Sequence, residues 1–185
     1  MSFLIFASSP NKDGLTEECV QAAAEGIRAA GADAEVVYLN DEVIGLCQAC
    51  ARGWGTCWEE HRCQVEDGFQ AVHEKTKGAD GYVVVSPVYF GQLSESAKAY
   101  FDRLRRCEAT RGDQSALAGK PVIGVAAAGG TGGGIVSCLD EMNRLFSHLR
   151  CGAFDMITVT RKSRPYKPAA IRSAAEAMAR ASAGG

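Results

Sequence analysis

The chain has 185 residues, enough for one ordinary domain with its own hydrophobic core, and residues 1–185 read as a single such domain. Hydrophobic residues make up 46% of it, which argues against a disordered chain, and a formal net charge of −2 gives no basic footprint for nucleic acid. The opening MSFLIFASS is apolar, but it lacks a basic flank and is too short for a signal core or a membrane span. A cytoplasmic protein with no membrane partner is therefore expected. Thiols stay reduced there, so clustered cysteines point to metal or redox work rather than to disulfide staples.

Apolar runs of strand length recur along the chain, each followed by a helical pattern. SFLIFA precedes a predicted helix over Thr16–Ala30, with Val20, Ala23 and Ile27 on one face and Gly31 as the stop. AEVVYL leads into a cysteine-rich loop, about residues 45–67, and then a helix from Phe69 to Lys77 closed by Gly78. GYVVVS precedes a helix over Ser96–Arg106, with Ala97, Phe101 and Leu104 turned inward. PVIGVAAA precedes Ile135–Arg150, whose stripe of Ile135, Leu139, Met142, Phe146 and Leu149 is expected to end at Gly152. AFDMITVT leads to an alanine-rich last helix over Pro168–Ser182. Near-continuous valine and isoleucine runs suit strands buried on both faces. Five strands in strict alternation with helices predict a doubly wound α/β fold with a five-stranded parallel sheet of order 2-1-3-4-5.

Such sheets bind ligands beyond the carboxyl ends of their strands, near the switch point. Three loops fall there. SSPNKDGLT, residues 8–16, brings hydroxyls, an amide, Lys12 and Gly14 to the start of a helix whose free N–H groups favour an anion such as a phosphate monoester. The same residues equally describe a capped turn. SPVYFGQLSES, residues 86–96, places Tyr89 and Phe90 where they flank a flat ring, or alternatively where they pack a core or interface. AAAGGTGGG, residues 126–134, carries five glycines, costly for a turn without a ligand to approach. TRKSRPYKP, residues 160–168, reads as a solvated charge run in preference to a contact for a phosphorylated nicotinamide.

SSPNKDGLT resembles the phosphate loop of the flavodoxin-like NAD(P)H-dependent FMN reductases, and ADGYVVVSPVYFGQLSESAKAYFDR is similar to their second FMN loop and following helix. CWEEHRCQVEDGF is similar to a segment of the iron–sulfur flavoprotein branch of that family. The resemblance implies a flavodoxin-like fold and FMN as cofactor. It implies that Ser9, Asn11, Gly14 and Thr16 hold the FMN phosphate, with Lys12 supplying charge nearby. Pro87, Val88, Tyr89, Phe90 and Gly91 would line the ring and ribityl region, and Gly129, Gly130, Thr131 and Gly132 the ring edge. Asn11 stands where the family usually has arginine, Leu15 where it has a small polar residue, and Ser8 where it has glycine. No catalytic acid–base set is needed, because backbone amides aimed at the ring stabilise its reduced form.

CQACARGWGTCWEEHRC, residues 47–63, holds four of the chain's eight cysteines. In the iron–sulfur flavoproteins this loop ligates a [4Fe–4S] cluster, which would assign Cys47, Cys50, Cys57 and Cys63 as ligands. A zinc site on the same cysteines, or on three with His61, and a loop without metal are the alternatives. Trp54 and Trp58 would shield a cluster or pack the loop or a subunit interface, whereas Cys19, Cys107, Cys138 and Cys151 read as structural. The resulting expectation is a flavin-dependent oxidoreductase of the iron–sulfur flavoprotein type, passing electrons between a donor, a [4Fe–4S] cluster and FMN. Its partner would be a ferredoxin-like protein. An NAD(P)H-dependent FMN or quinone reductase without a cluster is the alternative, and an FMN-binding sensor a third. The resemblance implies a homodimer or homotetramer.

Overall fold

The computed structural model describes residues 1–184. Five strands form one parallel sheet in the order β2-β1-β3-β4-β5: β1 Ser2–Ala7, β2 Asp33–Tyr38, β3 Gly81–Pro87, β4 Pro121–Ala128 and β5 Gly152–Thr160. The register places Ile5 beside Val36 on one side and Val83 on the other, and Val85 beside Val125. Every residue of β3 is buried, which is why GYVVVSP reads as an unbroken apolar run.

Helices cover both faces. α1 (Leu15–Ala29) and α6 (Lys167–Ala183) enclose one core, built on Phe3, Ile5, Val83, Val85, Ile123 and Val125. The other face carries α3 (Phe69–Gly78), α4 (Glu95–Glu108) and α5 (Ile135–His148) over Leu4, Phe6, Tyr82 and Val84. A single turn, α2 (Thr56–Glu59), lies in the cysteine loop between β2 and α3.

The helix stops separate local from tertiary causes. α1 ends as expected, with Gly31 at φ +78° and the Ala32 amide donating to Ile27 O. α5 does not stop at Gly152, which is the first residue of β5. Arg150 takes the left-handed position at φ +58°, and the Cys151 amide closes the turn on Phe146 O at 3.0 Å. The non-glycine residue is held there because its carbonyl accepts from Gly119 N and its side chain pairs with Asp113 at 2.6 Å.

Candidate functional site

The loops after β1, β3 and β4 meet at one sheet edge. Gly14 caps α1 without any side-chain cap, and the first helical backbone bond is Glu18 N to Gly14 O. The amides of Leu15, Thr16 and Glu17 are thus left without backbone partners among the described residues. Ahead of them the loop is wired to itself: Ser9 Oγ accepts from Asn11 N, and Asn11 Oδ1 from Asp13 N, both at 3.2 Å. Thr16 is buried on the first turn. Two neighbours behave differently from the sequence-based picture. The Ser8 hydroxyl is buried and donates to Val85 O, so it is committed to the sheet. Lys12 pairs with Asp41 beyond β2 and lies 4.7 Å over the Tyr38 ring, so its charge is shared.

The loop after β3 is a two-residue turn. Tyr89 and Gln92 exchange backbone bonds at 2.9 and 3.0 Å, with Phe90 at φ +48° and Gly91 at φ +78° between them. A left-handed phenylalanine costs about 1 kcal/mol, yet this one points wholly into solvent and repays nothing to the core. Pro87 is buried in register with Ala127, and Val88 N donates to Ala127 O at 3.0 Å. Ser94, the N-cap of α4, donates through Oγ to Ser8 O at 2.9 Å, locking the first loop to the second. In the third loop Gly129, Gly130 and Thr131 are exposed, and a Cβ on Gly129 or Gly130 would meet nothing within 4 Å. Gly132, at φ +92°, lies against Thr160.

The cysteine loop is wound tightly. Ala49, Ala51, Arg52 and His61 all hold positive φ, between 46° and 65°, strain of a kind that collects at ligand clamps. Cys47, Cys50, Cys57 and Cys63 are free thiols that line one small pocket. Arg103 and Arg106 of α4 also line it. Arg103 is 1% exposed; it pairs with Asp67 at 2.7 Å and donates to Gly45 O and Val65 O. Burial works against the Asp67 carboxylate, but Arg103 and the amides of Gly45 and Phe69 hold its pKa below the ordinary value. Arg106 donates to Gly53 O and stacks 4.8 Å over Trp54, whose ring meets Trp58 edge-on at 5.0 Å. Both tryptophans are exposed. His61 bonds Thr110 at 3.1 Å. Among the described residues, no three histidine, cysteine or acidic side chains stand close enough together to hold one metal ion.

The remaining cysteines lie elsewhere in character. Burial pushes the thiols of Cys19, Cys107, Cys138 and Cys151 up to about 12, so they stay protonated and unreactive. His73 packs in the core, 2.7 Å from Glu108. In the basic loop after β5, Arg164 pairs with Glu18 of α1. Arg103, Arg106 and Ser94 escaped the sequence reading, whereas Asp67 lies in the CWEEHRCQVEDGF segment; the one available signal was Arg103 a turn before Cys107 and Arg106 next to it, on a helix otherwise read for its apolar face.

Known proteins resemble this chain in two tiers. In sequence, the chain is 33% identical over 97 residues to an iron–sulfur flavoprotein from Methanosarcina thermophila, covering 52% of this chain and 49% of that one. It is 33% identical over 105 residues to another from Methanocaldococcus jannaschii, 57% of this chain and 52% of the relative. The matches thus span about half the length of these curated relatives. In structure, it superposes on an NAD(P)H:quinone oxidoreductase from Methanothermobacter marburgensis with TM-score 0.71 at 19% identity, covering 95% of this chain and 96% of that one. A flavone reductase gives 0.76 at 16% identity over 99% and 63%, and an archaeal flavodoxin 0.64 at 13% over 99% of each. These likenesses establish the flavodoxin-like fold. The family model described as NADPH-dependent FMN reductase matches residues 1–163, from β1 through all three converging loops and the cysteine pocket to the end of β5, and the chain belongs to that family.

Proposed function

We propose that this chain is an FMN-dependent oxidoreductase that also carries a [4Fe–4S] cluster on Cys47, Cys50, Cys57 and Cys63. The observation that carries the reading is the common pocket of four free thiols backed by Arg103 and Arg106. A thiolate-ligated cubane is anionic, and two guanidiniums on its wall offset that charge. The names of the curated relatives support the same assignment.

FMN, when bound, supplies two-electron chemistry at its ring, and a cubane supplies one-electron steps. The protein's part is to hold and orient them. Ser9, Asn11, Gly14 and Thr16 cradle the phosphate with the free amides of α1, and Lys12 contributes what charge Asp41 leaves it. Pro87, Val88, Tyr89, Phe90 and Gly91 line the ring and ribityl chain. Gly129, Gly130, Thr131 and Gly132 bring backbone close to the ring edge, where the open space beside Gly129 and Gly130 supports a ligand's approach. Residues 1–185 act as one FMN-binding unit in the reduced environment of the cytoplasm. Exposed Phe90, Trp54 and Trp58 support a homodimer or homotetramer.

A ferredoxin-like protein is the donor in this reading. The second reading, NAD(P)H reducing FMN or a quinone with no cluster, is favoured by the family match itself. Protein purified without oxygen decides between them. Iron and sulfide near four each per chain, with a flavin spectrum, support the first reading. Flavin with brisk NAD(P)H oxidation and no iron overturns it.

A further inference from the structure

The guanidinium of Arg103 has its terminal nitrogens occupied: Nη1 by Gly45 O at 3.1 Å and Asp67 at 2.7 Å, Nη2 by Val65 O at 2.9 Å. The Phe69 ring covers one face at 4.4 Å. Its Nε is buried and has no hydrogen-bond partner among the described residues, and Arg103 and Cys63 line the wall of the same pocket. Buried donors are rarely left unpaired, and a neutral thiol is a weak acceptor. An iron-bound thiolate is a strong one.

We infer that, in the cluster-loaded protein, Arg103 donates through Nε to the Cys63 sulfur and sets the reduction potential of the cluster. This rests on the cluster reading above. Arg103 is a positioning residue: Asp67 and two carbonyls fix the fork, which aims the Nε–H at the ligand sulfur. A hydrogen bond to sulfur stabilises the more electron-rich reduced cluster and so raises its potential. No neutral or single-point cation in the same place supplies both the fork and the side donor.

The test is the cluster potential of holoprotein, read by anaerobic redox titration with iron counted on the same sample. Arg103→Lys keeps the charge and loses the Nε donor. It should retain about four iron and shift the reduction equilibrium about tenfold toward the oxidised form, a fall of about 59 mV for one electron. Asp67→Asn removes a negative charge from the same guanidinium and leaves Nε in place, so its potential should rise. Opposite signs distinguish the donor from mere loosening of the loop, which moves both variants the same way. An unchanged potential in Arg103→Lys, or a common direction in the two variants, overturns the inference while leaving the cluster reading intact. If Arg103→Lys sheds its iron, reduced wild-type protein labelled with ¹⁵Nε-arginine replaces it. Electron–nuclear coupling to that nitrogen is expected, and its absence overturns the inference. Wild-type protein that takes up no iron anaerobically overturns the cluster reading itself, and the inference with it.

Discussion

Asp67, at the end of the cysteine loop, and Arg103, in the middle of α4, form an ion pair at 2.7 Å in which the arginine is almost wholly buried. The pair fastens the loop to the fold: Asp67 also accepts from the amides of Gly45 and Phe69. Removing the carboxylate leaves a buried charge unpaired, so Asp67→Asn should cost about 3 kcal/mol at neutral pH. The folded pKa of Asp67 lies below its ordinary 3.8, so this contribution is present above that value and is lost as the pH falls through the folded pKa. Urea unfolding of wild type and variant across pH should show their gap closing only at the acid end. A gap that stays constant with pH refutes the assignment.

The cysteines divide by location. Cys47→Ser, Cys50→Ser, Cys57→Ser and Cys63→Ser should each lose iron from anaerobically prepared protein yet retain FMN, because the flavin loops are separate from the pocket. Cys138→Ser, on the buried face of α5, should lose neither. Iron analysis and flavin absorbance on the same samples check both statements.

The phosphate cradle predicts a preference. FMN should bind far more tightly than riboflavin, because only the phosphate meets the free amides of α1. Thr16→Ala should weaken FMN by about 1.5–3 kcal/mol, the worth of a hydrogen bond to a charged group, and leave riboflavin binding unchanged. Fluorescence titration measures both. Equal affinity for the two flavins would exclude the assignment of the loop after β1.

Two glycines of the loop after β4 should respond in opposite ways. Gly130 has open space where a Cβ would stand, so Gly130→Val should fold normally and lose flavin affinity by intruding where the ring edge approaches. Gly134 is at φ +77°, and its Cβ would lie 2.6 Å from the Gly91 Cα. Gly134→Ala should therefore push the second and third loops apart and lower the melting temperature as well as flavin content. Thermal melts of the flavin-free proteins separate the two effects.

Much of the architecture follows from local sequence. Buried strands announce themselves as apolar runs because both faces of a parallel strand are covered, and the helices by the period of Val20, Ala23 and Ile27 or of Met142, Phe146 and Leu149. The converging loops were legible for the same reason: glycines, hydroxyls and aromatics lie where strands end, and a doubly wound sheet brings those ends together. Pairings between distant elements were not legible. Periodicity identifies the apolar stripe of α4, but it cannot tell that Arg103, beside Leu104, turns into the cysteine loop to meet Asp67 36 residues away in sequence. Lys12 meets Asp41, His73 meets Glu108, and Arg150 replaces glycine at a helix stop. Each depends on which polar groups from separate segments come face to face. Backbone preference and apolar burial act over a few residues and are written locally. A buried charge takes its partner from whatever the packed fold sets beside it, so tertiary structure alone decided how the cysteine pocket is walled.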